Sequence, residues 1–145
     1  MKLPEYITAD EVRRVCRELN LEDWTALQEP AVSAEEARTI LAEVNTDGMD
    51  IPLEDFRRGL EVELEHGTMF KDANVTNNHP VLTGKIVLAH LKESMDYYKR
   101  LEVAELEGDL LKATIARDPE KVARYHRRLA AARRELSEAE AEQLR

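Results

Sequence analysis

The chain has 145 residues, a net charge of −9, 35% charged side chains and only 5% aromatic ones. That acidic balance argues against general binding to phosphate backbones. The lone Cys16 rules out a disulfide within the chain, and no apolar run approaches the length that spans a bilayer. Ala, Leu, Glu and Arg dominate, which favours helix over sheet, and the length suffices to bury a core. Met1-Lys2-Leu3-Pro4-Glu5 carries no apolar leader, so the expected location is cytoplasmic.

Two stretches at the start read as copies of one unit, offset by 25 residues. Residues 7–20 align without gaps on residues 32–45, with five identities among 14 positions. Each opens with a capping box, Thr8…Glu11 or Ser33…Glu36, preceded by an apolar staple residue, Ile7 or Val32. Val12, Val15, Cys16 and Leu19 match Ala37, Ile40, Leu41 and Val44 at helical spacing. Two similar short helices follow from this, with Trp24 and Leu27 between them as candidates to seal the core.

A third helix is expected from Pro52, carrying Leu53, Phe56, Leu60 and Leu64 inward and stopping at a glycine cap, His66-Gly67. Residues 67–79 then read as an ordered polar loop. A fourth helix opens around Asn78-His79-Pro80 and runs through Leu82, Ile86 and Ala89 to Glu93. In the last third, Tyr97, Leu101, Ala104, Gly108, Leu111 and Ile115 step at heptad spacing. After the start signal Asp118-Pro119, Val122, Tyr125, Leu129, Ala132, Leu136 and Ala139 do the same. The expected fold is all-α: a helical body over residues 1–95 with two similar N-terminal helices, then an antiparallel helical hairpin over residues 96–145. Val122, Tyr125, Leu129 and Leu136 form its candidate interaction seam. The facing stripe contains Ala and Gly and buries little area, so the hairpin is expected to dock on the body, a second copy or a protein partner.

Catalytic signatures are incomplete. Asn45-Thr46-Asp47-Gly48-Met49-Asp50 is out of register with a calcium-binding loop and reads as an Asp-Gly turn. Gly84-Lys85 lacks the flanking residues of a phosphate loop. Cys16 sits on an apolar helical face and reads as an inert buried thiol. The constellation with chemical content is the pair Glu63-Leu-Glu-His66 and His90-Leu-Lys-Glu93. A carboxylate and an imidazole three residues apart share one helical face, and Glu-x-x-His is a spacing used by metal sites in helical bundles. If the two helices pack antiparallel, Glu63, His66, His90 and Glu93 offer two carboxylates and two imidazoles. That donor set suits Fe, Mn or Zn, with Asp96 or His79 available to complete the shell. Structural hydrogen bonding of the same residues is the competing reading.

Residues 33–107 resemble an uncharacterised family of small helical proteins from bacteria and tailed phages. The residues that carry the resemblance are Phe56-Arg-Arg-Gly-Leu-Glu-Val-Glu-Leu-Glu-His-Gly67, Asn74-Val-Thr-Asn77, Thr83-Gly-Lys-Ile86 and Leu88-Ala-His-Leu-Lys-Glu93, with Asp96-Tyr-Tyr98 and Leu101. The resemblance implies a helical domain and brings no activity with it. It leaves the first helix and the hairpin as additions. The sequence thus supports a non-enzymatic interaction or assembly protein, virion-associated if the chain is a phage product. The alternative is a metal-binding helical protein built on the Glu/His cluster; nucleic acid and membrane are not expected partners.

Overall fold

The computed structural model describes Met1 and residues 3–145. The chain is all-helical, with no strand among the described residues. It divides into two compact units, Met1–Glu93 and Ser94–Arg145.

The first unit contains α1 (Ala9–Glu18), a 3-10 turn at Trp24–Ala26, α2 (Ala34–Val44), α3 (Leu53–Met69), a second 3-10 turn at Lys71–Ala73, and α4 (Pro80–Glu93). Helices α2, α3 and α4 pack against one another, and α1 against α4. The repeated units do become the two similar helices, and their caps differ in one respect. Ser33 Oγ accepts from Glu36 N at 3.2 Å while Glu36 Oε2 accepts from Ser33 N, closing a reciprocal box. Thr8 Oγ1 likewise accepts from Glu11 N, but the Glu11 carboxylate turns to Arg14 instead. Glu36 does more than cap: Oε1 also accepts from Trp24 Nε1 and Glu22 N, fastening the linker between α1 and α2. Burial opposes its ionisation, yet the hydrogen bonds from Ser33, Glu22 and Trp24 win and hold its carboxyl below the usual range.

The core joins Val12, Val15 and Cys16 of α1, Trp24, Ile40 and Val44 of α2, Phe56, Leu60 and Leu64 of α3, and Val87 and Leu91 of α4. Cys16 is 2% exposed and burial pushes its thiol pKa up, as an inert core thiol requires. Leu27, expected to help seal this core, is only half-buried. Arg57 and Glu61 on α3 clamp the chain entering α2, through Val32 O to the guanidinium and Val32 N to the carboxylate. Gly84 sits where α4 crosses α2 and α3; a Cβ there would lie 2.6 Å from Ile40 Cγ2. The expected inward stripe on α4 is shifted. Thr83, Val87, Leu88 and Leu91 are buried, whereas Ile86 and Ala89 are exposed. The continuous run Ile86-Val-Leu-Ala89 has no polar contrast by which to choose a face.

The second unit is an antiparallel pair, α5 (Tyr97–Ile115) and α6 (Pro119–Gln143). Asp118 accepts from Lys121 N at 3.0 Å and Pro119 takes the first helical position, as its start signal requires. Arg117 (φ 55°) makes the left-handed turn between the helices. Leu106, Leu129 and Ala132 are buried together, with Val103, Leu110 and Tyr125 packed on them. The α6 stripe therefore runs as spaced, while the α5 stripe does not: Leu111 and Ile115 are 61% and 73% exposed, and Ala104 is exposed too. Val103, Leu106, Leu110 and Ala113 also step 3, 4, 3. They remove more apolar area from water than a stripe containing Ala104 and Gly108, so that face wins.

At the open end of the hairpin, Asp96 is 2% exposed and accepts both Arg100 Nε and Nη2 at 2.8 Å, besides Ser94 Oγ and Gln143 Nε2. Arg100 also reaches Glu140 Oε1 at 2.8 Å. The guanidinium beside Asp96, with the donors from Ser94 and Gln143, holds its carboxyl at about 2, below the ordinary 3.8. A depressed carboxylate contributes stability that is complete above its ordinary pKa and disappears as pH falls through the folded value. The contribution is about 2 kcal/mol, lost between about pH 4 and pH 2. Asp96→Asn should cost about that much at pH 7, and urea melts of the two proteins should converge near pH 2.

Candidate functional site

Helix α3 presents Glu63 and His66, and α4 presents His90 and Glu93. The Glu63 side chain is 14% exposed and stands between the two imidazoles. His90 Nε2 lies 3.6 Å from Glu63 Oε1, and His66 Nδ1 lies 3.9 Å from Oε2. Both separations are too long for hydrogen bonds. They become ion pairs when the rings are protonated. Glu93 is exposed at the end of α4. Among the described residues no three His, Cys, Asp or Glu side chains converge as a metal shell. The four-ligand arrangement expected from Glu63, His66, His90 and Glu93 is therefore not assembled. His66 and His90 each approach a different oxygen of the Glu63 carboxylate.

The two residues considered as completing ligands are otherwise engaged. Asp96 is taken by Arg100. His79 is 8% exposed, and its Nδ1 accepts from Leu82 N at 3.4 Å, capping the first turn of α4. Burial pulls its pKa down, with the Glu11 charge opposing, so the ring stays a neutral acceptor at pH 7.

The connection between α3 and α4 departs from a glycine-capped helix followed by a loop. Helix α3 runs past Gly67 to Met69, and a 3-10 turn follows almost at once. Gly67 is buried inside the helix because side-chain amides from the connection press on it: a Cβ there would stand 1.9 Å from Asn78 Oδ1 and 2.9 Å from Asn74 Nδ2. Asn74 Nδ2 donates to Asn78 Oδ1 at 3.0 Å, and Asn78 Nδ2 donates to Trp24 O at 3.3 Å. Asn77 Nδ2 donates to Ile7 O at 2.6 Å, tying the loop to the chain before α1. Asn77 and Asn78 both take left-handed backbone conformations (φ 48° and 58°), which asparagine tolerates better than most residues. These amides were not candidates on spacing alone; the signal that marks them is the Asn-Val-Thr-Asn-Asn-His run directly before Pro80.

Between α3, this connection and the first turns of α4 lies a small open cavity of about 150 Å³. Glu63, His66, Gly67, Asn74, Val75, Thr76, Asn78, Thr83 and Ile86 line it, with Ala73. Its walls thus come from three of the strings on which the resemblance rests, the ones beginning at Phe56, Asn74 and Thr83. In the second unit, an open groove of about 620 Å³ lies at the hairpin turn, lined by Thr114, Arg117, Pro119, Val122, Ala123 and His126 among others. Of the candidate seam, Leu129 is buried and Tyr125 packs on it inside the hairpin. Leu136 is half-buried, and Val122 borders the groove.

The family model for a protein of unknown function, DUF5661, matches residues 12–107. The chain belongs to the DUF5661 family. No curated protein and no solved structure matches it. The DUF5661 match begins at residue 12, inside α1, so most of the first helix lies in the family region and is not an addition to it. It ends within α5, leaving α6 and the hairpin turn outside. The whole cavity wall falls within the DUF5661 span.

Gly67 and Gly108 should respond in opposite directions to alanine. At Gly67 the new methyl meets Asn78, and overpacking there should cost about 1–3 kcal/mol. At Gly108, where nothing stands within 4 Å, alanine should gain up to about 1 kcal/mol of helix propensity. Chemical denaturation of the two single variants measures both.

Proposed function

We propose that this DUF5661 protein is a non-enzymatic assembly protein that associates with a second copy of itself through its C-terminal hairpin. The observation that carries the reading is the apolar side of α5 left over after α6 has packed. Leu111 and Ile115 are one helical turn apart and 61% and 73% exposed. The apolar groove of Pro119, Val122 and Ala123 lies around the adjoining turn. Exposed large aliphatic residues grouped beside an apolar groove favour contact with another protein surface. Heptad-spaced helices are also a common basis for self-association. The resemblance to small proteins of bacteria and tailed phages fits a component of a cytoplasmic or virion assembly.

Multi-angle light scattering tests this directly. The wild type should give a multiple of the 16.6 kDa chain mass. The double variant Leu111→Glu/Ile115→Glu should fall to the single-chain mass with unchanged helical circular dichroism, since both positions are exposed and Glu is a good helix former. A wild type that stays at the single-chain mass up to about millimolar concentration, the weak end of the affinity scale, overturns the reading.

A further inference from the structure

Gly108 stands in the middle of α5 with no reason inside the hairpin to be glycine. Its φ is not positive, unlike that of Gly48, and a Cβ added there meets nothing within 4 Å. A helix interior gives glycine no advantage, since only proline is a worse helix former. What Gly108 does provide is a gap on one side of α5. Ala104 and Leu111 lie one turn away on that side, and Leu101 and Ile115 two turns away. The side faces away from α6: Ala104, Leu111 and Ile115 are exposed, while Val103, Leu106 and Leu110 pack within the hairpin. A second helix crossing at Gly108 accounts for the glycine, because a missing Cβ lets two backbones approach closely.

We propose that α5 pairs with α5 of a second copy, in parallel and with closest approach at Gly108, leaving each α6 on the outside. The pairing rests on the self-association proposed above, to which it adds an orientation and a point of closest contact. In heptad terms Leu101, Gly108 and Ile115 occupy a, and Ala104 and Leu111 occupy d. Ile at a with Leu at d is the combination that favours a parallel two-stranded pair. The charges beside Gly108 choose the same orientation. Glu107 stands at g and Lys112 at the following e, positions that a parallel pair brings together across the interface. Glu107 of each copy then faces Lys112 of the other, twice by symmetry. An antiparallel crossing at Gly108 brings the two Glu107 carboxylates together instead, and their repulsion opposes it. Within its own chain Glu107 pairs with Arg133 and Lys112 with Asp109. Those are solvent-exposed pairs, which hold a side chain only weakly.

The test uses the full chain. Sedimentation equilibrium over a concentration series reads association itself. Gly108→Ala should weaken it about tenfold or more, because the new methyl stands at the crossing. The same variant, diluted until the chain is single, should melt higher than the wild type, since α5 gains a better helix former. A structural glycine moves both readouts down together. Lys112→Glu should weaken association, and Glu107→Lys/Lys112→Glu should restore it. Orientation is read by mild oxidation of introduced thiols, Cys16 being 2% exposed and inert. Ala104→Cys and Ile115→Cys, each alone, should give disulfide-linked dimers, because a parallel pair sets each position beside its own copy. A mixture of the two should give the same two species and no cross-linked heterodimer. A wild type that stays single removes the self-association and this arrangement with it. Three outcomes leave the self-association standing and overturn the arrangement: association undiminished by Gly108→Ala, no restoration by the charge exchange, or a predominance of the heterodimer.

Discussion

The contact of Asn78 with Gly67 decides the shape of the first unit around its cavity. An amide side chain reaches the backbone of α3 only because no Cβ intervenes, and it then bridges outward to Trp24 O. Trp24 is 1% exposed and in turn donates to Glu36, the residue that closes the cap of α2. A chain of hydrogen bonds thus links α3, the asparagine connection, the α1–α2 linker and the start of α2. Each member is buried or partly buried, so losing one leaves a neighbour unsatisfied at a cost of about 1–3 kcal/mol. The apolar core sets which helices touch; this polar chain sets where the connection sits on them.

The hairpin is held on a different principle. Its shared apolar layer is thin, with Leu106, Leu129 and Ala132 at the centre. Polar fasteners close both ends: the Asp118 cap and left-handed Arg117 at the turn, and the Asp96–Arg100–Glu140 group with Gln143 opposite. These are not equivalent. The exposed pair Arg133–Glu107 across the middle is worth little after side-chain ordering and screening. Asp96 is 2% exposed and accepts from Ser94, Arg100 and Gln143, so its removal takes one buried acceptor from all three, the half-exposed Arg100 keeping only Glu140. A sequence that stabilises a helical pair at its ends leaves the middle of its outer faces without a structural duty.

What could be read from the sequence, and what could not, follows from the range of each signal. Caps are local: Thr8, Ser33 and Asp118-Pro119 lie within three residues of what they bond, and all three cap as expected. The α6 stripe was legible because its apolar positions are few and the remainder charged. Helix α5 is apolar on two sides, each at heptad spacing, and only the partner helix selects between them. Gly67 carries the composition of a C-cap, yet its reason for being glycine is an asparagine eleven residues later in space against it. The Glu/His spacing placed Glu63 and His66 on one face of α3 correctly. Periodicity cannot say how side chains from two helices meet; here the two imidazoles stand 3.6 and 3.9 Å from separate oxygens of the one Glu63 carboxylate.

The charge distribution sets the two units apart. Residues 94–145 hold equal numbers of basic and acidic side chains, so the chain's net charge of −9 belongs to residues 1–93. A field of one sign over the first unit raises the local concentration of cations without choosing among them, and it opposes the approach of a phosphate backbone. The hairpin carries no such bias. Association through Leu111 and Ile115, as proposed, would therefore not be set against repulsion between hairpins of like net charge.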